Sequence, residues 1–432
     1  MNNRKLLIFA SFLLLAGCTT DPDMDNNVGG GTSAQTPSAK IVNTSADAAA
    51  ETLLVYFNDR AVESIESTAA ATRTAATRSG VASVDDVLSR LEIVSLERLF
   101  TYDARSEEQT RAAGLHKWYI LTFGQGADLE KAARELAGVA EVSRIQFDTK
   151  LQKASVGNPM PFRIDETGTT RADFSGSGFN DPGLPNQWHY SNNGDRVFAE
   201  TTRAGADINV EEAWKLAAGD PSLTVAIVDQ GIKYSHPDLA ANMWINKAEQ
   251  SGTTGRDDDG NGYADDVYGY NFALGTSRLT WDVEAYDDKG KNVGDSGHGT
   301  HVAGTVAAVN NNGKGVCGVA GGTGSNDGVK LMSCQILGYG ENNIDYHYAD
   351  SKAFEYALKN GAVIAQNSWG WTVSEDTTPD DNEKEWNYGY SNVDALKDAM
   401  NTFIQYAGTE NPDSPIQGLS LIHISEPTRH AQ

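Results

Sequence analysis

The chain has 432 residues, of which 39% are hydrophobic, so it is long enough to form two or three domains with buried cores. Its 59 acidic residues outnumber its 34 lysines and arginines, and the formal net charge is −25. Because a surface this acidic repels a phosphate backbone, we expect no nucleic-acid partner.

The N-terminus has the pattern of a secretory signal. Arg4 and Lys5 precede an apolar run that ends at Leu15 and is too short to span a bilayer as a stable helix. The sequence LAGC that follows resembles a bacterial lipobox, which implies that Cys18 is lipidated and becomes the new N-terminus. We therefore expect a protein that is secreted across the inner membrane and held at the outer membrane or cell surface by its lipid alone. The alternative is an ordinary signal peptide with an incidental cysteine. Residues 19–50, rich in small polar residues, are typical of a flexible tether.

Residues 51–152 are predicted to form a small α+β domain. Leu53–Phe57, Trp118–Phe123 and Val142–Phe147 are apolar runs typical of strands, and a helical period follows Asp128, which is placed to cap that helix. Strand, helix, strands, helix and strand in this order make a split βαβ, or ferredoxin-like, pattern.

Residues 153–200 are dense in Gly, Pro, Asn and Asp and indicate a linker or extended arm, whereas strand and helix patterns alternate in residues 201–418. The run Leu223–Val228 is continuously apolar, as in a strand buried on both faces. Further strands are predicted at 329–337 and 363–367, and helices at 300–309, 347–360 and 393–407. The alternation predicts an α/β fold with a doubly wound parallel sheet.

A carboxylate and an imidazole are candidates for one site in this fold. Asp229 ends the buried strand, where open α/β sheets place functional groups, and a buried carboxylate needs a partner. His298 begins a predicted helix in GHGTHVAG and is the candidate partner. His298 and His301 could instead form a zinc pair, but no third ligand or base glutamate stands at a suitable spacing. We interpret His301 as a residue that packs the helix.

Three segments carry a specific family resemblance. VAIVDQGIKYSHPDL (225–239) and GHGTHVAGTVAA (297–308) resemble the Asp and His motifs of the subtilisin-like serine proteases, the subtilases or peptidase family S8. QNSWGW (366–371) is similar to the substrate-binding strand of that family, and the resemblance covers roughly residues 183–418.

The resemblance implies a role for each of these segments. Asp229 would orient the imidazole and stabilise its protonated form, and His298 would take the proton of a serine hydroxyl. The backbone of Ser368, Trp369 and Gly370 would pair with an extended protein or peptide substrate by strand addition.

The resemblance also implies that residues 51–152 are a propeptide. Such a domain assists folding as an intramolecular chaperone and inhibits the enzyme by placing its C-terminal tail in the cleft. The alternative is an independent ferredoxin-like binding domain.

An acidic segment suggests a structural calcium ion. Asp257, Asp259 and Asn261 offer oxygen ligands at alternate positions of DDDGNG, with glycine at the sharp turn. A complete EF-hand is excluded because Tyr268 stands where a bidentate glutamate is required. The alternative is a solvated acidic turn.

A second calcium site is implied by the family resemblance alone. Asp238 and Asn311 occupy positions of a structural calcium site in many subtilases, although the loop after Asn311 is one residue longer in this chain. No organic cofactor is indicated. Cys317 and Cys334 could pair or remain free thiols, and the sequence leaves both possibilities open.

The serine nucleophile is expected to be missing. In the family order Asp, His, Ser, the serine would fall near position 455, beyond Gln432, and the oxyanion asparagine is absent too. Two Gly-Thr-Ser triplets, at 31–33 and 275–277, lie before the His motif and are not expected to supply it. Residues 419–429, LSLIHISEPTR, resemble the translation of a transposon-end sequencing adapter, so we interpret 419–432 as adapter sequence and the chain as a C-terminally truncated fragment.

The sequence therefore predicts a subtilisin-like serine endopeptidase with an Asp-His-Ser triad, in a fragment that is itself inactive. The alternative is a non-catalytic, calcium-dependent peptide-binding surface lipoprotein. The native DNA downstream distinguishes them, because only the protease requires a serine motif there.

Overall fold

The computed structural model describes residues 36–44, 48–72, 77–149, 151–153, 178–194, 203–283, 295–338, 348–371, 393–408 and 419–422. The predicted signal segment and Cys18 lie outside these residues. None of the helices in the described ranges combines the length and apolarity that a membrane span needs.

An N-terminal domain carries four strands and four helices. They are β1 (Ala48–Phe57), α1 (Asp59–Thr72), α2 (Ala82–Arg90), β2 (Ser95–Arg98), α3 (Glu107–Ala112), β3 (Trp118–Thr122), α4 (Leu129–Ala137) and β4 (Val142–Thr149). The strands form an antiparallel sheet in the order β2-β3-β1-β4, as a split βαβ pattern requires. The predicted cap of α4 is confirmed, since Asp128 Oδ1 accepts a hydrogen bond from Lys131 N at 2.9 Å.

The two faces of this sheet are buried differently. Leu53, Val55 and Phe57 alternate on one face and pack in a core with the apolar sides of α1, α2 and α4. Leu54, on the opposite face, belongs to a core shared with the C-terminal part of the chain. The N-terminal domain is therefore joined to the rest by apolar packing on the second face of its sheet.

The second part of the chain is built on a five-stranded parallel sheet. Its strands are β6 (Thr224–Asp229), β7 (Gly269–Asn271), β8 (Lys330–Gln335), β9 (Ala362–Asn367) and β11 (Leu419–Ile422), in the order β11-β9-β6-β8-β7. Its helices are α5 (Val210–Trp214), α6 (Lys247–Ser251), α7 (His298–Ala307), α8 (Ala349–Lys359) and α9 (Asp394–Tyr406). The predicted α/β fold with a parallel sheet is confirmed.

Helices cover both faces of central strand β6. Val225 and Ile227 pack with α7 residues on one face, whereas Ala226 and Val228 pack with α8 and α9 residues on the other. This two-sided burial explains the uninterrupted apolar run of β6.

Polar contacts join the N-terminal domain to the start of α9. Arg144 lies 3.1 Å from Asp394 and 2.7 Å from Asp398, and Trp118 Nε1 donates to Asp398 at 3.0 Å. Gln146 Oε1 accepts from Ala395 N at 3.0 Å, so the N-terminal domain supplies a hydrogen-bond acceptor to the first turn of α9.

The structure answers the question that the sequence left open for the two cysteines. Both Cys317 and Cys334 are buried free thiols, so they do not form a disulfide. Leu419–Ile422 pairs in parallel with β9. A strand assignment does not test the coding origin of that segment, and the adapter interpretation stays a prediction.

A buried carboxylate in α8 leads to a pH prediction. Burial raises the pKa of Asp350 to about 7, against about 4 in an unfolded chain, so the folded state holds this proton more tightly. The contribution of protonated Asp350 to the stability of the folded state is complete below about pH 4. It is lost as the pH rises through about 7. We expect Asp350→Asn to raise the free energy of unfolding by about 3–4 kcal/mol at pH 8 and to change it little at pH 4, as measured by urea unfolding. Glu108→Gln, at an exposed carboxylate, is the control. Equal effects of Asp350→Asn at both pH values would contradict the prediction.

Candidate active site

Asp229 closes the central strand and is fully buried. Its Oδ1 lies 2.7 Å from His298 Nδ1 and accepts a second hydrogen bond from Gln230 N at 2.6 Å. The carboxyl end of a central parallel strand is the edge of the sheet at which α/β folds place their sites. The structure therefore brings together the two side chains that the sequence singled out.

His298 is the first residue of α7, and its side chain is 16% exposed. A carboxylate can only accept a hydrogen bond, so Nδ1 carries the proton and Nε2 of the neutral ring keeps its lone pair. This arrangement lets His298 accept a proton at Nε2 while Asp229 stabilises the resulting imidazolium.

The glycine after His298 permits the close approach of α7 to the end of β6. A Cβ atom at Gly299 would lie 1.9 Å from the backbone oxygen of Gln230. Any larger residue would push the helix, and with it the imidazole, away from Asp229.

The predicted substrate strand is already paired with another segment of the chain. Strand β10 (Trp369–Trp371) runs antiparallel to β5 (Leu151–Lys153), with Gly370 opposite Gln152. Ser368 precedes β10 and accepts a hydrogen bond from Gln366 Nε2 at 3.2 Å. Residues 369–371 can therefore pair with an extended backbone, and here that backbone follows the N-terminal domain.

His301 does not have the packing role expected for it. It is exposed and lines a groove of about 720 Å³ together with Trp188, His189 and Trp281. In the described part of the chain, no histidine belongs to a cluster of three potential metal ligands.

The acidic segment forms a cluster with Glu249, a residue that the sequence did not predict there. Ligand oxygens of Glu249, Asp257 and Asp259 all lie within 4.8 Å of one another. Because calcium–oxygen distances are 2.3–2.6 Å, three oxygens at this spacing can share one calcium ion. Glu249 lies in α6 and has no local motif with the loop, so only the tertiary structure identifies it.

Asn261 is placed differently from its predicted role as a ligand. Its Oδ1 accepts from Tyr263 N at 2.7 Å, and its Nδ2 donates to Asp266 at 2.9 Å and to Asp259 at 3.4 Å. The side-chain amide of Asn261 is thus hydrogen-bonded to groups of its own loop. Burial raises the pKa of Asp266 to about 6, although three side-chain hydrogen bonds favour its charged form.

The second predicted calcium position also gains a residue. Asp238 and Asp181 are each 3% exposed, and burial, followed by the charge of Asp181, raises the pKa of Asp238. Asn312 Nδ2 donates to Asp238 at 2.7 Å, whereas Asn311 uses its side chain on Thr323 O and donates its backbone N–H to Asp181. The Asn311 side chain is thus hydrogen-bonded elsewhere, and the acidic neighbour that affects the Asp238 carboxylate is Asp181.

Comparisons with known proteins agree with the motifs. Residues 220–417 match the Peptidase_S8 model, the subtilase family. Subtilisin-like protease 1 of Plasmodium vivax is 41% identical over 113 residues, which are 26% of this chain and 15% of that protein. Halolysin of Haloferax mediterranei is 30% identical over 167 residues, 39% of this chain and 25% of that protein. The extracellular protease of Xanthomonas campestris pv. campestris is 35% identical over 169 residues, 37% of this chain and 23% of that protein.

Among solved structures, fervidolysin from Fervidobacterium pennivorans, a keratinolytic enzyme related to subtilisin, aligns with a TM-score of 0.46 and 17% identity over 84% of this chain and 40% of its own. The chain spans a quarter or less of the length of the three curated relatives named above. Residues 220–417 are therefore similar to the subtilase family of subtilisin-like serine proteases.

Proposed function

We propose that this chain is part of a serine endopeptidase that hydrolyses peptide bonds with an Asp-His-Ser triad. The observation that carries the proposal is the 2.7 Å contact between buried Asp229 and His298 at the carboxyl end of β6. His298 Nε2 would take the proton of the serine hydroxyl as it attacks the carbonyl carbon and give it to the leaving amine. Asp229 would stay ionised and hold the ring in the productive tautomer.

The serine and the oxyanion asparagine are proposed to lie in the native sequence that follows residue 418. The family order of Asp, His and then Ser supports this position. The matched relatives are also several times longer than the segments that align with this chain.

The substrate is proposed to bind as an extended strand along Ser368, Trp369 and Gly370. The antiparallel pairing of β10 with β5 supports this, because Trp369 and Gly370 pair there with an extended segment of the chain. Since β5 follows the N-terminal domain directly, we propose that this domain acts as an intramolecular inhibitor and folding aid. Its packing against α8 and α9 supports that role.

The test is hydrolysis of casein by the protein expressed from the gene together with its native downstream DNA. We expect the protein to hydrolyse casein, and we expect a serine-directed phosphonate to abolish this activity. A native reading frame that ends without a serine motif would contradict the proposal, and so would a full-length product that binds peptides without cleaving them. Either result would support the alternative of a peptide-binding lipoprotein.

Calcium is proposed to stabilise the fold at two positions. Glu249, Asp257 and Asp259 would hold one ion, and Asp181 and Asp238 would contribute to a second. The close oxygen atoms of the first group and the buried like charges of the second support the proposal.

Removal of calcium is therefore expected to destabilise the protein. At a free concentration of about 100 times the dissociation constant, each ion would contribute about 2–3 kcal/mol, which EGTA should remove. Thermal unfolding with calcium or EGTA measures the difference, and Asp257→Asn should abolish the part due to the first ion. Asp220→Asn, at an exposed aspartate, is the control. An unfolding temperature independent of calcium would rule out both sites.

Membrane attachment is proposed to occur through a lipid on Cys18. The lipobox pattern of the sequence supports it. Metabolic labelling with palmitate should mark the native protein and leave Cys18→Ser unlabelled. Equal labelling of both would contradict the proposal.

A further inference from the structure

The residue before the helix that carries His298 has no side chain with which to cap it. Gly297 precedes α7 in the left-handed region at φ 73°, and no side-chain hydrogen bond from this position caps the helix. The first backbone N–H groups of a helix have no partner within it and must find one elsewhere.

The residue that supplies a partner is Gln230, which directly follows Asp229 in the sequence. Its side-chain Oε1 accepts hydrogen bonds from His298 N at 3.2 Å, Ser296 N at 3.2 Å and Ser296 Oγ at 3.3 Å. Gln230 is only 3% exposed, so water does not compete freely for these contacts.

The same residue also contacts the carboxylate of the pair. Its backbone N–H donates to Asp229 Oδ1 at 2.6 Å, the oxygen that contacts His298 Nδ1. One residue is thus hydrogen-bonded to both partners, through its backbone to the aspartate and through its side chain to the backbone of the histidine.

Packing and polar contacts together place the first turn of α7 against the end of β6. The close contact of Gly299 with Gln230 O sets how near the helix comes to β6. A second bond, from Lys233 N to Thr300 Oγ1 at 2.9 Å, ties the first turn of α7 to the loop after β6. The hydrogen bond from His298 N to Gln230 Oε1 joins the histidine itself to the end of β6.

We propose that Gln230 is a positioning residue, whose side-chain oxygen holds the first turn of α7 in register with the end of β6 and so keeps His298 in contact with Asp229. The inference rests on the proposed function for its catalytic consequence, but the contact itself exists independently of hydrolysis. A displacement of about 1 Å at a reacting group can cost about 10²-fold in rate.

The substitutions distinguish the effect of losing the hydrogen-bond acceptor from the effect of changing the volume of the side chain. Gln230→Leu keeps the approximate volume and removes the acceptor, whereas Gln230→Glu keeps an oxygen at the same reach. Gln230→Asn keeps the amide but withdraws its oxygen by one methylene. Gln187→Leu is the matched control, because Gln187 is a buried glutamine with two hydrogen bonds to the backbone of Cys317.

The first readout uses the 432-residue chain and needs no activity. In protein labelled with ¹⁵N-histidine, the Nδ1–H signal of His298, assigned by its loss in His298→Ala, reports the contact with Asp229. We expect the signal in the wild type, Gln230→Glu and Gln187→Leu, and its loss in Gln230→Leu and Gln230→Asn. An unchanged signal in folded Gln230→Leu overturns the inference. If Gln230→Leu does not fold, an unchanged signal in Gln230→Asn overturns it equally.

The second readout uses the full-length protease. We expect Gln230→Leu to lower kcat by about 10²-fold with KM within twofold, and Gln230→Glu to keep kcat within about fivefold of the wild type. A loss shared equally by Gln230→Leu and Gln187→Leu would indicate general destabilisation and overturn the positioning role. If the full-length protein hydrolyses nothing, the proposed function fails, while the histidine signal still decides the role of Gln230.

Discussion

Replacing His298 by alanine is expected to lower kcat/KM of the full-length protein by at least about 10⁴-fold. The substitution removes the group that takes the serine proton and that lies 2.7 Å from Asp229 Oδ1. Asp229→Asn should cost about 10⁴-fold, because an amide can donate to Nδ1 and would stabilise the wrong tautomer. Hydrolysis of a fluorogenic peptide under kcat/KM conditions measures both effects.

His301→Ala is the matched control for His298→Ala. His301 lies one turn further along α7 and is exposed, so its loss should change kcat/KM by less than about twofold. If Asp229→Asn were as active as the wild type, the carboxylate would have no part in catalysis, whatever its distance from the ring.

Replacing Arg144 by alanine is expected to lower the free energy of unfolding by about 2–3 kcal/mol. The guanidinium contacts Asp394 and Asp398 in α9 and stacks over the rings of Tyr56 and Trp118, with centroid distances of 4.2 and 4.8 Å. Without it, two carboxylates that are less than one-third exposed lose their main positive partner. The loss is smaller than for fully buried pairs because water still reaches these groups.

Urea unfolding in the His298→Ala background, which prevents self-digestion, measures this effect. Arg134→Ala is the control, since Arg134 pairs with Glu130 at 3.0 Å on an exposed helix surface and should contribute no more than about 0.5 kcal/mol. Equal losses for the two arginines would show that the contacts of Arg144 with α9 do not stabilise the protein.

The parts of the fold that the sequence predicts are those encoded by local patterns. The two-sided burial of β6 appears as an unbroken apolar run, and the small residues after His298 appear as a helix that can approach a sheet closely. Because Asp229 ends one such element and His298 begins another, their meeting follows from the topology of a parallel sheet.

The parts that could not be predicted depend on contacts between distant segments. Glu249 and Asp181 join their clusters from elements with no sequence relation to the acidic loops. Asn261 has the ligand spacing of a calcium loop, yet its oxygen is used by Tyr263 N, which a spacing rule cannot foresee. Strands β5 and β10 are three residues long, too short to show a period.

Gln230 illustrates the same limit within a recognisable motif. Gln230 directly follows the strand aspartate, and the structure buries it against the start of α7. Its hydrogen bonds connect positions 66 to 68 residues apart in the chain, so the local sequence contains no signal for them.

The most direct measurement of the central claim is the rate at which a fluorophosphonate labels the full-length protein, with the modified residue located by mass spectrometry. We expect a single labelled serine C-terminal to His298, and we expect labelling to fall at least about 10³-fold in Asp229→Asn and His298→Ala. Labelling that is absent from the wild type, or that proceeds equally fast in both variants, would contradict that claim.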